Sequence, residues 1–385
     1  MPGAVLALSW LALSVSGCGA PREPVVKLGF VAPLTGDQAA QGEDMRRGAE
    51  LAIRDALAEG EVVPGYRLEL AALDDQRNPA QAVMAAKKLA ADPDVVAVVG
   101  HLNSSCTKPA SAVYHEARLL QISPISSNPE ISRQGFDTFY RVCPTDDLQG
   151  PAAARFVRTT LGAARCFLLD DLTTYGRGLA NEFERAAADV GLAVLGHEGI
   201  TQGDKDLSPI LSKVKALDPD VLYFAGMFPE RALLIKQSRD LGVRATLMGG
   251  DGLFEHALIE LATPQAAEGV YVSALGRDVQ AIPTAQGFVT AYEAAYGPVG
   301  AYSAYAYEAT RLALRAIRAA GRKDRGAVLA AMRGIRDDAG ILGTHTFDER
   351  GDTRLRTIGF FVVHDGGFQF VASTDERPAP VAAAP

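Results

Sequence analysis

From residue 25 onward, short apolar runs alternate with amphipathic helical stretches, and this alternation narrows the fold more than any other feature of the chain. The clearest strand runs are Val26–Ala32, Arg67–Leu73, Val95–Gly100, Leu119–Ser123, Arg165–Leu169, Val221–Ala225, Thr246–Gly249 and Gly269–Ala274. Helical patterns fill the gaps at Met45–Leu57, Ala80–Ala91, Gly150–Thr160, Gly178–Val190 and Arg231–Leu241. Runs that are apolar at nearly every position bury both faces of a strand, and the helices between them serve as crossovers. Parallel sheets covered on both sides are therefore expected. That is a doubly wound α/β architecture.

The pattern is also written twice. Lys88–Gly100, KLAADPDVVAVVG, returns as Val214–Gly226, VKALDPDVLYFAG. In each copy a helix stops at Asp-Pro, because proline cannot continue it, and a buried strand follows. Two copies in matching context predict two lobes of like topology. Further helical text (Pro283–Tyr296, Ala304–Ala320, Arg325–Arg333) and a strand-rich close suit a chain that crosses between lobes more than once. The expected division is an N-terminal lobe of residues 26–145 plus 275–345 and a C-terminal lobe of 146–274 plus 346–372. A disordered tail is expected at 373–385.

The first residues read as a targeting segment. Ala4 to Val15 is apolar except for Ser9 and Ser14, the length of a signal peptide and too short to span a bilayer. It ends in Val15-Ser16-Gly17-Cys18, which resembles the lipobox of bacterial lipoproteins. Residues 1–17 are thus expected to be a signal peptide, Cys18 the lipid attachment site, and 18–25 a tether that holds the protein in the periplasm or at the cell surface. Three cysteines then remain. Cys166 sits in a buried-strand pattern and reads as an inert core thiol. Cys106 and Cys143 are candidates for one disulfide, the alternative being two free thiols.

Enzymatic chemistry is hard to find. There is no Walker loop, G-x-S-x-G elbow, H-E-x-x-H or C-x-x-C, and the six histidines show no metal-ligand spacing. Gly176-Arg177-Gly178 is a dinucleotide fingerprint without its third glycine. Asp74-Asp75 and Asp170-Asp171 stand at strand ends, where turn and cap roles are expected. No catalysis, cofactor or metal is expected. A net charge of −8, with 38 basic and 46 acidic residues evenly mixed, argues against nucleic acid as a partner.

A binding constellation is easier to see. In doubly wound sheets ligands gather beyond the carboxyl ends of the strands. Strand Val95–Gly100 runs into HLNSSCTKPA, where Ser104 or Ser105 would cap a helix whose N-terminus suits a carboxylate. Strand Leu119–Ser123 ends in the second hydroxyl loop, Pro124-Ile125-Ser126-Ser127. From the other lobe come Tyr175 and Gly250-Asp251-Gly252, a carboxylate between glycines that permit close backbone approach. Hydroxyls and a helix N-terminus facing a carboxylate match a zwitterion, with Asp251 as either the ammonium partner or a plain turn aspartate.

The runs GHLNSSCTKPAS (100–111), ISPISSNPEIS (122–132), RVCPTDDLQG (141–150), TYGRGLA (174–180) and FDERGD (347–352) resemble the periplasmic leucine/isoleucine/valine-binding protein and its relatives. These are the type I solute-binding proteins of branched-chain amino acid ABC importers. The resemblance implies two Rossmann-like lobes joined by three hinge crossovers, with a small amino acid or analogue trapped between them and passed to a membrane permease. It further implies that Ser104 and Ser127 hold the ligand carboxylate, that the Ile125 carbonyl and Asp251 meet the ammonium, and that Tyr175 closes from the second lobe. Met227 stands where leucine-type members carry a tyrosine, and Gln41 at another usual aromatic position. With Tyr302 nearby, an apolar or mixed side-chain pocket is expected. Arg77 and Asn103 replace the two cysteines of that family's disulfide. Two other readings stay open: an importer for an amide, urea or aromatic acid, and a sensory ligand-binding protein.

Overall fold

The computed structural model describes residues 24–227 and 230–375. The expected signal peptide, Cys18, nearly all of the tether and the tail from residue 376 lie outside the described residues. In the first lobe, β1 (Val25–Ala32), β2 (Arg67–Asp74), β3 (Val95–Gly100), β4 (Leu120–Ser123) and β5 (Phe139–Arg141) form a parallel sheet in the order β2-β1-β3-β4-β5. The crossovers α1 (Ala39–Ala58), α2 (Pro79–Ala91) and α3 (Ser104–Glu116) connect β1 through β4. Every residue of β3, VVAVVG, is buried, which fixes it in the middle of the sheet, whereas β2 is half-exposed at an edge. Burying a valine contributes roughly 1.5–3 kcal/mol, so any register that exposed the four valines of β3 would be strongly disfavoured.

The second lobe opens with α4 (Asp146–Thr159) and β6 (Arg165–Asp170), followed by α5 (Thr174–Asp189), β7 (Ala193–Gly199), α6 (Ser208–Leu217) and β8 (Val221–Ala225). Next come α7 (Glu230–Asp240), β9 (Thr246–Gly249), α8 (His256–Ala262), α9 (Pro264–Ala267) and β10 (Tyr271–Ala274). The chain then returns to the first lobe with α10 (Gln286–Tyr296), α11 (Ser303–Ala320) and α12 (Arg325–Arg333). There α11 packs along α1 and against β3 and β4. A short pair, β11 (Asp338–Gly340) with β12 (Gly343–His345), leads to β13 (Gly359–His364) and β14 (Gly367–Ser373), which add antiparallel strands beside β10. The second sheet has the order β14-β13-β10-β9-β8-β6-β7. The doubly wound fold expected from the alternation is the fold observed. Among the described residues no helix is long and apolar enough to cross a membrane.

Both Asp-Pro copies end a helix, by different geometry. Asp92 closes α2 in extended conformation, and Asp218 closes α6 with a left-handed φ of 49°. The acidic pairs at strand ends serve turns: Asp74 accepts from the Leu34 and Gln76 amides, Asp75 from Arg77, Asp170 from Leu172, and Asp171 from Thr173. Two expectations need correction. Cys106 and Cys143 are free thiols, each buried in packed surroundings that hold the thiol well above its usual range, as is Cys166. Ser373 and Thr374, expected to begin a disordered tail, are instead tied to the sheet: Ser373 ends β14, and the Thr374 amide donates to the Ile358 carbonyl.

Candidate ligand-binding site between the lobes

The first-lobe wall begins at Gly100, whose φ of 143° only glycine adopts comfortably; a Cβ there would lie 2.4 Å from the Val31 carbonyl oxygen. The chain then turns into α3. Neither serine caps this helix, contrary to expectation: the cap is Asn103, extended and without a side-chain capping bond. Ser104 is already the first helical residue. The Cys106 and Thr107 amides bond the Asn103 carbonyl, which leaves those of Ser104 and Ser105 at the open helix end, where an anion is favoured. Ser104 is 2% exposed, and its Oγ accepts from the Asn128 amide at 3.3 Å. Ser105 is half-buried, and its side chain turns to the Cys106 thiol.

The second loop is pinned from behind. Arg141, fully buried on β5, donates Nη1 to the Ser126 and Asn128 carbonyls at 2.8 Å each and pairs with Asp352. Ser126 is spent on structure: its Oγ bonds Thr107 Oγ1 at 2.6 Å and donates to the Leu102 carbonyl at 2.9 Å. Ser127 differs, for its buried Oγ lies by the Asp146 carboxylate without a well-formed hydrogen bond. Behind these loops His101 is fully buried between Asp75, 2.7 Å from Nδ1, and the Tyr114 hydroxyl, 3.2 Å from Nε2.

The second-lobe wall centres on Asp251, 7% exposed, which accepts from the Tyr175 hydroxyl at 2.8 Å. Tyr175 OH in turn accepts from the Gly252 amide at 3.1 Å. Burial pushes the Asp251 carboxyl up to about 6, despite hydrogen bonds from Tyr175 and Gln149 that favour its ionised form. Gly250 is required by space, since a Cβ would meet Leu179 and the Tyr175 hydroxyl at 2.4 and 2.5 Å. Tyr175 is aimed by its helix start, where Thr173 caps α5 through the Gly176 amide. Met227 is held by its amide on Asp171 Oδ2 at 3.2 Å.

One carboxylate escaped the sequence reading. Asp146, the first residue of α4, is fully buried beside Ser127, with its amide on the Ser127 carbonyl and neither carboxyl oxygen in a well-formed hydrogen bond. Burial holds it well above the usual carboxylate range, and the nearby Asp251 pushes the same way. Followed by Asp147 at a helix start, it looks in sequence like an ordinary charged first turn. Its place in the run RVCPTDDLQG was the signal that pointed to the site.

Ser104, Ile125, Tyr175, Met227 and Asp251 come together with Leu102, Asn103 and Tyr302 around one cavity of about 20 Å³. Ser105, Ser126 and Ser127 do not line it. A second cavity of about 250 Å³ starts from the same Ile125, Asp251 and Tyr302 and runs past Phe254 and Glu255 toward residues 275–280. The small cavity has room for a water and little more, and it lies between the two lobes. They meet across the cleft where Asn128 Nδ2 donates to the Thr174 carbonyl at 2.6 Å. Arg77 Nη2 also faces Asp171 and Glu230 at 3.9 and 3.8 Å.

Comparison with known proteins agrees with this geometry. Residues 25–367 match the model of a periplasmic binding protein family. A Leu/Ile/Val-binding protein homologue of Brucella suis is 34% identical over 330 residues, which cover 86% of this chain and 88% of that protein. A leucine-binding protein of Thermotoga maritima superposes with a TM-score of 0.84 at 31% identity, covering 91% of this chain and 98% of the other. The isoleucine complex of a branched-chain amino acid transporter substrate-binding protein from Streptococcus pneumoniae gives 0.81 at 25% identity, with coverage of 91% and 98%. Two α/β lobes with a polar cleft between them, matched over residues 25–367 and along nearly the whole length of the relatives, make this chain a member of the periplasmic binding protein family, the non-enzymatic solute receptors related to the branched-chain amino acid binding proteins.

Proposed function

We propose that this protein is a lipid-anchored extracytoplasmic receptor that closes on an α-amino acid, branched-chain or similar, and delivers it to the permease of an ABC importer. The observation that carries the reading is the polarity of the cleft. Ser104, at the α3 N-terminus, lines the same small cavity as Asp251 and Tyr175, so one wall suits a carboxylate and the other an ammonium. Ile125, which lines the same cavity, offers its carbonyl at the cationic end. Closure would bury both ligand charges, which is tolerable only if both are paired, since an unpaired buried charge costs several kcal/mol. A ligand that binds only the closed form shifts the hinge equilibrium toward it. The sequence Val15-Ser16-Gly17-Cys18 supports the anchor, and the names of the relatives support the importer.

The test is a thermal-shift screen of L-amino acids against amides, ureas and aromatic acids. Zwitterions should raise the melting temperature, because ligand at a hundredfold over Kd adds about 2.7 kcal/mol. Stabilisation only by molecules without an ammonium group would overturn the reading.

A further inference from the structure

Buried polar atoms without partners are scarce in folded proteins, and each one points to an ordered water, an ion or a ligand. Several collect on the first-lobe side of the cleft. Asn103 lines the small cavity and is 8% exposed; its Nδ2 donates to Gln38 Oε1 at 3.0 Å, while its Oδ1 has no partner. Gln38 is fully buried with its Nε2 unpartnered. Gln41, three residues on and hence on the same face at the start of α1, is 3% exposed with its Oε1 unpartnered. Turning the amides over does not remove the deficit. Each carboxamide has two donor hydrogens and an acceptor oxygen, so two of them joined by one bond leave polar atoms over in either orientation. Across the cavity stands Met227, whose thioether is a weak acceptor and whose amide is committed to Asp171.

These atoms are already out of water, so an aliphatic ligand side chain packed against Asn103 would leave its Oδ1 without a partner. A ligand hydroxyl or carboxamide would satisfy the Asn103 carboxamide, the one of the three that lines the cavity. Resting on the zwitterion reading above, we infer that the cleft selects an amino acid whose side chain carries a hydroxyl or carboxamide, with Asn103, backed by Gln38 and Gln41, as the specificity-determining corner. Within the range proposed above, the ligand class narrows to amino acids with a polar, uncharged side chain.

Isosteric pairs test this directly. Threonine and valine share a shape and differ by a hydroxyl for a methyl; asparagine and leucine form a second near-matched pair, and alanine reports the head-group site alone. Calorimetry should show threonine binding at least about tenfold tighter than valine, because a site built to hydrogen-bond a ligand group rejects the analogue that lacks it. Asn103→Leu should shrink that ratio, and a ratio within one variant is insensitive to partial loss of folded protein. Alanine binding with valine equal to or tighter than threonine in the wild type would overturn this inference and leave the zwitterion reading standing. It would mean that ordered water serves the amides. Failure of all five amino acids to bind would sink the zwitterion reading, and this inference with it.

Discussion

On the proposed function, the two walls of the cleft meet opposite ends of one solute by different physical means. The first-lobe wall is made of backbone amides and hydroxyls that are fixed before any ligand arrives. Arg141 clamps the carbonyls of the second loop, and Ser126 ties both loops together. The second-lobe wall is a single buried carboxylate on a glycine-flanked loop, steered by Tyr175 and held in its ionised form only weakly. Neutral dipoles can be preorganised cheaply and work at any pH. A buried charge is stronger, but it depends on its partner and on protons.

The largest expected effect separates the two walls. Asp251→Ala should weaken binding of the best amino acid by a hundredfold or more, because removing one member of a buried charge pair typically costs about 3–5 kcal/mol. Ser104→Ala should cost about tenfold or less, since the helix-end amides remain to hold the carboxylate. Calorimetry at neutral pH on both variants is the check. Equal losses, or a larger loss at Ser104, would break the contrast between a shared anion site and a solitary counter-charge.

How far the sequence announced these walls depended on burial. The central strands were legible because continuous apolar runs such as β3 and β8 have one place to go in a covered sheet. Edge strand β7 was missed, for AVLGHEG is half-exposed along its length and presents no clear period. Ser104, Ile125, Tyr175, Met227 and Asp251 were found because they follow strand ends or lie in family-like runs. The cap at α3 was misassigned because Asn103, Ser104 and Ser105 are all competent caps, and only the backbone path out of Gly100 decides among them. Arg141, Gln149 and Asp146 act through long-range contacts that spacing does not reveal. The Cys106–Cys143 pairing failed for a similar reason: burial in packed surroundings accounts for both thiols without a bond.

A middle-sized effect concerns what joins the walls. Arg77 stands on a turn of two left-handed residues, with its amide held by Asp75, and its guanidinium reaches from the first lobe toward Asp171 and Glu230 of the second. Arg77 Nη2 and Glu230 Oε2 are each buried without a hydrogen bond, 3.8 Å apart, while Glu230 Oε1 is fixed by the Gly203 amide. Asp171 also holds Met227 and Thr173, so this cation touches the scaffold of the second wall without touching the cavity. Arg77→Ala should therefore speed ligand release and raise Kd about tenfold, with partial recovery in Arg77→Lys. Stopped-flow release rates identical to wild type, in a variant of unchanged melting temperature, would show that the walls close independently of this contact.

The smallest effect is graded and touches only the second wall. The folded-state pKa of Asp251 is raised from the usual 3.8 to about 6 by burial. In the ligand-free protein, Asp251 therefore contributes stability in its protonated form at low pH, and that contribution is lost as pH rises through about 6. Binding has the opposite sign, because an ammonium group needs the carboxylate ionised and so must displace a proton below that point. Affinity for an amino acid should accordingly fall about twofold at pH 6 and about tenfold at pH 5, relative to its plateau above pH 7. Titration calorimetry in buffers of different ionisation enthalpy should detect proton release on binding near pH 5.5 and none near pH 8. An affinity that is flat from pH 5 to 8 would mean that the ammonium is held by neutral acceptors alone, and the second wall would then work by the same physics as the first.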